Sequence, residues 1–101
     1  MLDPWADRMS RIIDAVRSGP GELAPDVRQA IMDGVTLPEP LASYVTKVSA
    51  HPRQVADEDV QTLLRAGYTE DQIFEATVSS ALTAGLKRLE AGLAALTETD
   101  P

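Results

Sequence analysis

The stretch from Tyr68 to Leu96 contains no proline and opens on Thr69-Glu70-Asp71-Gln72. Thr69 with Gln72 three residues on fits a reciprocal capping box, and Glu70 and Asp71 stand where the positive end of a helix dipole favours carboxylates. A helix therefore starts here. Phe74, Val78, Ala81, Leu82, Gly85, Leu89, Leu93 and Leu96 recur at steps of three and four, which predicts one continuous buried face. No charged residue occurs from Ala76 to Leu86, so that part is expected to be enclosed on several sides. Gly85 and Gly92 each cost roughly 1 kcal/mol against alanine inside a helix, and they predict close approach of a neighbouring helix backbone. Unbroken from Glu70 to Leu96, the helix is about 40 Å long, whereas a compact chain of this size is roughly 33 Å across. Its end is expected to project. The leucines on that end predict cover by another subunit, with Gly85, Leu89, Gly92, Leu93 and Leu96 as the interface; a break near Gly85 is the competing explanation.

The rest of the chain reads as shorter helices. Asp3-Pro4 suits a helix start, and Trp5, Met9, Ile12, Ile13 and Val16 follow on one side until Ser18-Gly19-Pro20-Gly21 stops the helix. Gly-Pro-Gly lacks the Lys-Ser/Thr of a phosphate loop and reads as a turn. Pro25-Asp26 begins a second helix to about Asp33, with Val27, Ala30 and Ile31 inward and Gly34 as its stop. A third starts after the prolines at 38 and 40, carries Leu41, Tyr44, Val45 and Val48, and ends near His51-Pro52. A fourth follows Ala56, with Val60, Leu63 and Leu64 inward and Ala66-Gly67 closing it. Residues 97–101 read as a frayed tail. No stretch alternates apolar and polar residues over a strand's length, and the predicted fold is all-α, a single domain over residues 1–101 with about five helices.

Composition excludes much chemistry. The chain has no cysteine, hence no disulfide, thiolate nucleophile or zinc-thiolate site. Sixteen acidic against nine basic residues give a net charge of -7, which argues against nucleic-acid phosphates. No uncharged run approaches the length that spans a bilayer and no leader pattern opens the chain, so a cytoplasmic location is expected. No cofactor or metal is expected either.

The run Leu63-Leu64-Arg65-Ala66-Gly67-Tyr68-Thr69-Glu70-Asp71-Gln72-Ile73-Phe74-Glu75-Ala76 resembles the carboxymuconolactone decarboxylase and alkyl hydroperoxidase D-like superfamily. There a helix ends in Ala-Gly, a capped acidic turn follows, and an Ile and then a Glu open the next helix. Residues 84–93 are similar to the closing helix of many small members. The resemblance covers residues 38–97, with 1–34 as added N-terminal helices, and implies an all-helical domain assembling as a trimer or hexamer. Peroxidatic members carry Cys-x-x-Cys with a nearby His where this chain has His51 to Asp59 and no cysteine, so thiol peroxidase activity is not carried over.

Several side chains are candidates for chemistry. His51 is the only histidine and could act as acid or base with Glu39, Lys47 or Glu58, or be a capping or surface residue at a helix end. The Asp57-Glu58-Asp59 cluster could hold a hard cation, but carboxylates at a helix start have a sufficient electrostatic reason. Glu75, the last charge before the uncharged segment, could be a buried acid or pair with Arg65 or Lys47. Trp5, Tyr44, Tyr68 and Phe74 are assigned to the core or an interface. Three readings follow. The first is a cysteine-free helical assembly or binding module of that superfamily, homo-oligomeric and able to take a small ligand. The second is a cofactor-independent lyase or decarboxylase for a small organic acid, with Lys47, Arg53 or Arg65 holding the anion beside His51. The third is an unrelated four-helix bundle, marked by the absence of a close crossing at Gly85.

Overall fold

Capping chemistry divides the chain into helices at the expected places. The computed structural model describes residues 4–19 and 21–99, and among them there are five α-helices and no strand. They are α1 (Pro4–Ser18), α2 (Pro25–Asp33), α3 (Leu41–Ala50), α4 (Asp57–Arg65) and α5 (Glu70–Thr99), with a single 3-10 turn, Pro52–Gln54, between α3 and α4. Asp3, Pro20, Asp100, Pro101 and the side chain of Trp5 lie outside the described residues.

The stops of α2 and α4 are built alike. Gly34 and Gly67 take φ of 71° and 102°, a region costly for any residue with a Cβ. The amide after each glycine reaches back to the helix, Val35 to the Ala30 carbonyl and Tyr68 to the Leu63 carbonyl. The start of α5 is the reciprocal box: the Thr69 amide donates to Gln72 Oε1 at 2.9 Å, and the Gln72 amide to Thr69 Oγ1 at 3.1 Å. At α4 the box is one-sided, because Ala56 has no side-chain acceptor; Asp59 alone reaches back to the Ala56 amide at 2.8 Å.

The core lies where α2, α3 and α4 meet the first half of α5. Leu23, Ile31, Leu41, Tyr44, Val48, Leu63, Ile73 and Ala76 form one buried cluster. Tyr44 keeps its hydroxyl satisfied against Thr77 Oγ1 at 2.7 Å. On α1, Met9, Ile13 and Val16 are half-buried, but Ile12 is half exposed rather than inside.

α5 departs from expectation in which face it buries. Its inner face is Ile73, Ala76, Ser79 and Ser80. The apolar stripe predicted to be buried is instead the outer face: Phe74 is 68% exposed, Val78 and Ala81 are exposed, and Leu82 is only half-buried. At 100° per residue the two faces are nearly opposite. Small side chains allow α5 to lie close against α2 and α3; Ser80 Oγ donates to the Ala76 carbonyl of the preceding turn, whereas the buried Ser79 Oγ has no hydrogen-bond partner among the described residues. Nor, among the described residues, does any helix cross at the helical glycines, because a Cβ added at Gly85 or Gly92 would meet nothing within 4 Å.

The helix is unbroken past Gly85 and continues through Thr99, where a frayed tail was expected. At 30 residues it is about 45 Å long. It stretches the molecule to 53 Å against 29 and 21 Å in the other directions. Residues 87–97 are all exposed.

Candidate functional site

The charged residues singled out by sequence are not gathered into one site. His51 caps the end of α3 through its backbone amide, which donates to the Lys47 carbonyl at 2.8 Å, and its side chain is exposed. Arg53 and Arg65 are exposed as well. Lys47 bridges from α3 to α4, where its Nζ meets the two Asp59 oxygens at 3.0 and 3.2 Å. The Ala56 amide and then Lys47 hold the Asp59 carboxyl below the usual range. Glu39 receives the amide and hydroxyl of Ser43, and Glu58 is exposed in the first turn of α4. Among the described residues no group of three or more His, Asp or Glu is placed to hold a metal ion.

Glu75 does lie partly buried, but its partners are not the expected cations. Its carboxylate receives the backbone amides of Glu22 at 2.9 Å and Leu23 at 2.6 Å, tying the loop before α2 to α5. Beside it is Arg28, buried on α2, which donates to the carbonyls of Val16, at 3.1 Å, and Gly19 and so closes the end of α1. Gly21 lies against both: a Cβ there would collide with Glu75 Oε1 and come within 3.5 Å of Arg28 Cζ. Arg28 was not anticipated, although its position three residues before Ile31 puts it on the inward side of α2.

Two surfaces remain with features that packing of this chain does not use. One is a groove of 540 Å³ between the α2–α3 connection, α3 and the middle of α5. Val35, Leu37 and Val45 form its apolar part, Lys87 and Arg88 stand on its α5 side, and no carboxylate lines it. Arg88 is held there by the Ser49 carbonyl at 3.1 Å. The other is the outer face of α5. Leu89, Leu93 and Leu96 are 51, 55 and 68% exposed, continuing the line of Phe74 and Val78. That line carries no charge.

No helix among the described residues is long and apolar enough to cross a membrane. Compared with known proteins, the chain matches no family model, no curated protein and no solved structure.

Proposed function

We propose that this protein is a cysteine-free helical assembly module that self-associates through the outer face of α5. The exposed line of Phe74, Val78, Leu89, Leu93 and Leu96 on a helix that extends beyond the core carries this reading. The kinship with the alkyl hydroperoxidase D-like superfamily belongs to it as a proposal resting on residues 63–76. Those residues form the end of α4 and the capped start of α5, while the open surroundings of Gly85 agree better with a plain bundle. Without cysteine the module has no thiol peroxidase chemistry. The lyase reading draws less support, since His51 is exposed and Glu39, Lys47 and Glu75 each hold other partners.

Light scattering after size exclusion tests the assembly: a molar mass at a multiple of 10.8 kDa is expected, and 10.8 kDa at every concentration overturns it.

The groove beside Lys87 supports a second role, uptake of a small amphipathic carboxylate. An apolar trough with two cations and, among the described residues, no carboxylate favours an anion even in a chain of net charge -7. Calorimetric titration with dodecanoate tests this. Saturable binding that Lys87→Ala with Arg88→Ala weakens at least tenfold supports the role, and equal binding by both proteins removes it.

A further inference from the structure

The outer face of α5 specifies how a partner lies against it, an inference that rests on the self-assembly reading above. Val78, Leu82, Gly85, Leu89, Gly92 and Leu96 follow alternating steps of four and three, the spacing of a helix–helix seam. From Leu82 onward, leucine and glycine take turns along it. A Cβ added at Gly85 or Gly92 would meet nothing within 4 Å, so each glycine is a notch, and Leu89 and Leu96, more than half exposed, are knobs.

We propose that a second copy of this chain packs its α5 antiparallel on this face, about a two-fold axis level with Lys87. In that register Leu89 seats over the partner subunit's Gly85, and Leu82 over the partner subunit's Gly92. The same symmetry sets Leu93 opposite Ala81 and Leu96 opposite Val78, so every layer pairs a larger side chain with a smaller one. Complementary layers of this kind reach the density of a protein interior with the helices close together.

Other arrangements do not close. A parallel pair stacks Gly85 on Gly85 and Gly92 on Gly92, leaving gaps whose linings forfeit dispersion contacts. Sliding the antiparallel pair by one heptad sets Leu96 opposite Asp71 in one direction and Leu82 opposite Thr99 in the other. From Val78 to Leu96 the seam is about 27 Å long, and a helix pair of that length hides roughly 500 Å² on each copy, about 1,000 Å² in all, the lower edge of specific interfaces. No residue of the seam is charged, and Arg88 at its flank is turned back onto Ser49. The pair is the unit of assembly. A hexamer could contain three such pairs, but an isolated trimer could not contain one.

The chain has no cysteine, so an introduced one is unique. Thr97→Cys carrying a nitroxide label places two spins about 30 Å apart in the antiparallel pair, against about 10 Å in a parallel one, and electron paramagnetic resonance reads the difference. The expected results are a distance near 30 Å and a disulfide that forms when Leu89→Cys and Gly85→Cys proteins are mixed and oxidised, but with neither alone. An oligomer with spins near 10 Å, or an isolated trimer, overturns the register and leaves self-assembly standing. A 10.8 kDa species without any spin–spin distance overturns both.

Discussion

The two faces of α5 invert the usual relation between hydrophobicity and burial. The inner face, buried against α2, α3 and α4, includes Ala76, Ser79 and Ser80, whereas the outer face presents Phe74, Val78, Leu89, Leu93 and Leu96 to solvent. Inside, small size decides, because close helix approach needs side chains that take little room; the helix satisfies the Ser80 hydroxyl but not that of Ser79. Outside, the large apolar residues are what the proposed self-assembly would cover. Burial and apolar character thus mark two different faces of one helix.

The sharpest way to break this contrast is one substitution made on both faces. Ala76→Leu forces a branched side chain into a site with no exposure and is expected to destabilise by about 2 to 3 kcal/mol through overpacking. Ala81→Leu, on the exposed side, is expected to stay within about 0.5 kcal/mol. Thermal melts at high dilution read both. Equal losses would show that the two faces are not different in kind.

The polar tie beneath the inner face should come next in size. Glu75→Ala leaves the Glu22 and Leu23 amides without their acceptor, an expected loss of about 1 to 3 kcal/mol. Gly21→Ala should act in the same direction, since its Cβ would displace the Glu75 carboxylate. If urea melts of Glu75→Ala match those of the parent, the loop before α2 is not held by this contact.

Leu93→Glu tests the outer face without touching the core. Its effect on the isolated fold is expected within about 0.5 kcal/mol, because Leu93 is already 55% exposed. Its effect on assembly should be large, since a carboxylate placed in an apolar seam is costly to desolvate. Light scattering should show the mass falling to 10.8 kDa. An unchanged oligomer would move the interface away from α5.

Helix boundaries were legible because each is written in a few adjacent residues: Thr69 with Gln72, Gly67 after Ala66, and Gly34 after Asp33. The inward side of α5 was not legible. Apolar periodicity identifies a face that avoids water but not what covers it, and Ser79 and Ser80 carry no apolar signal although both are buried. Arg28 was hidden for a related reason. A guanidinium on a short helix reads as solvated, and its burial depends on the carbonyls of Val16 and Gly19, which only the turn after α1 brings near. Glu75 was recognised as a charge at the edge of a buried segment, but its partners are backbone amides more than fifty residues earlier, which leave no trace in residue type.

The smallest expected effect lies away from α5, and it sharpens the contrast by concerning a contact that acid alone should remove. Asp59 joins α3 to α4, and the Ala56 amide and Lys47 depress its pKa below the ordinary value of 3.8. A carboxylate with a folded pKa below its unfolded value adds stability that is complete above the unfolded pKa and disappears as pH falls through the folded one. Asp59→Asn should therefore melt at a lower temperature than the parent at neutral pH, and the gap should narrow below about pH 4 as the parent's own carboxylate protonates. Melting both proteins from pH 7 to pH 2 checks this. A gap of constant size would assign the loss to changed packing at the start of α4, and a gap that widens in acid would contradict the depressed pKa itself.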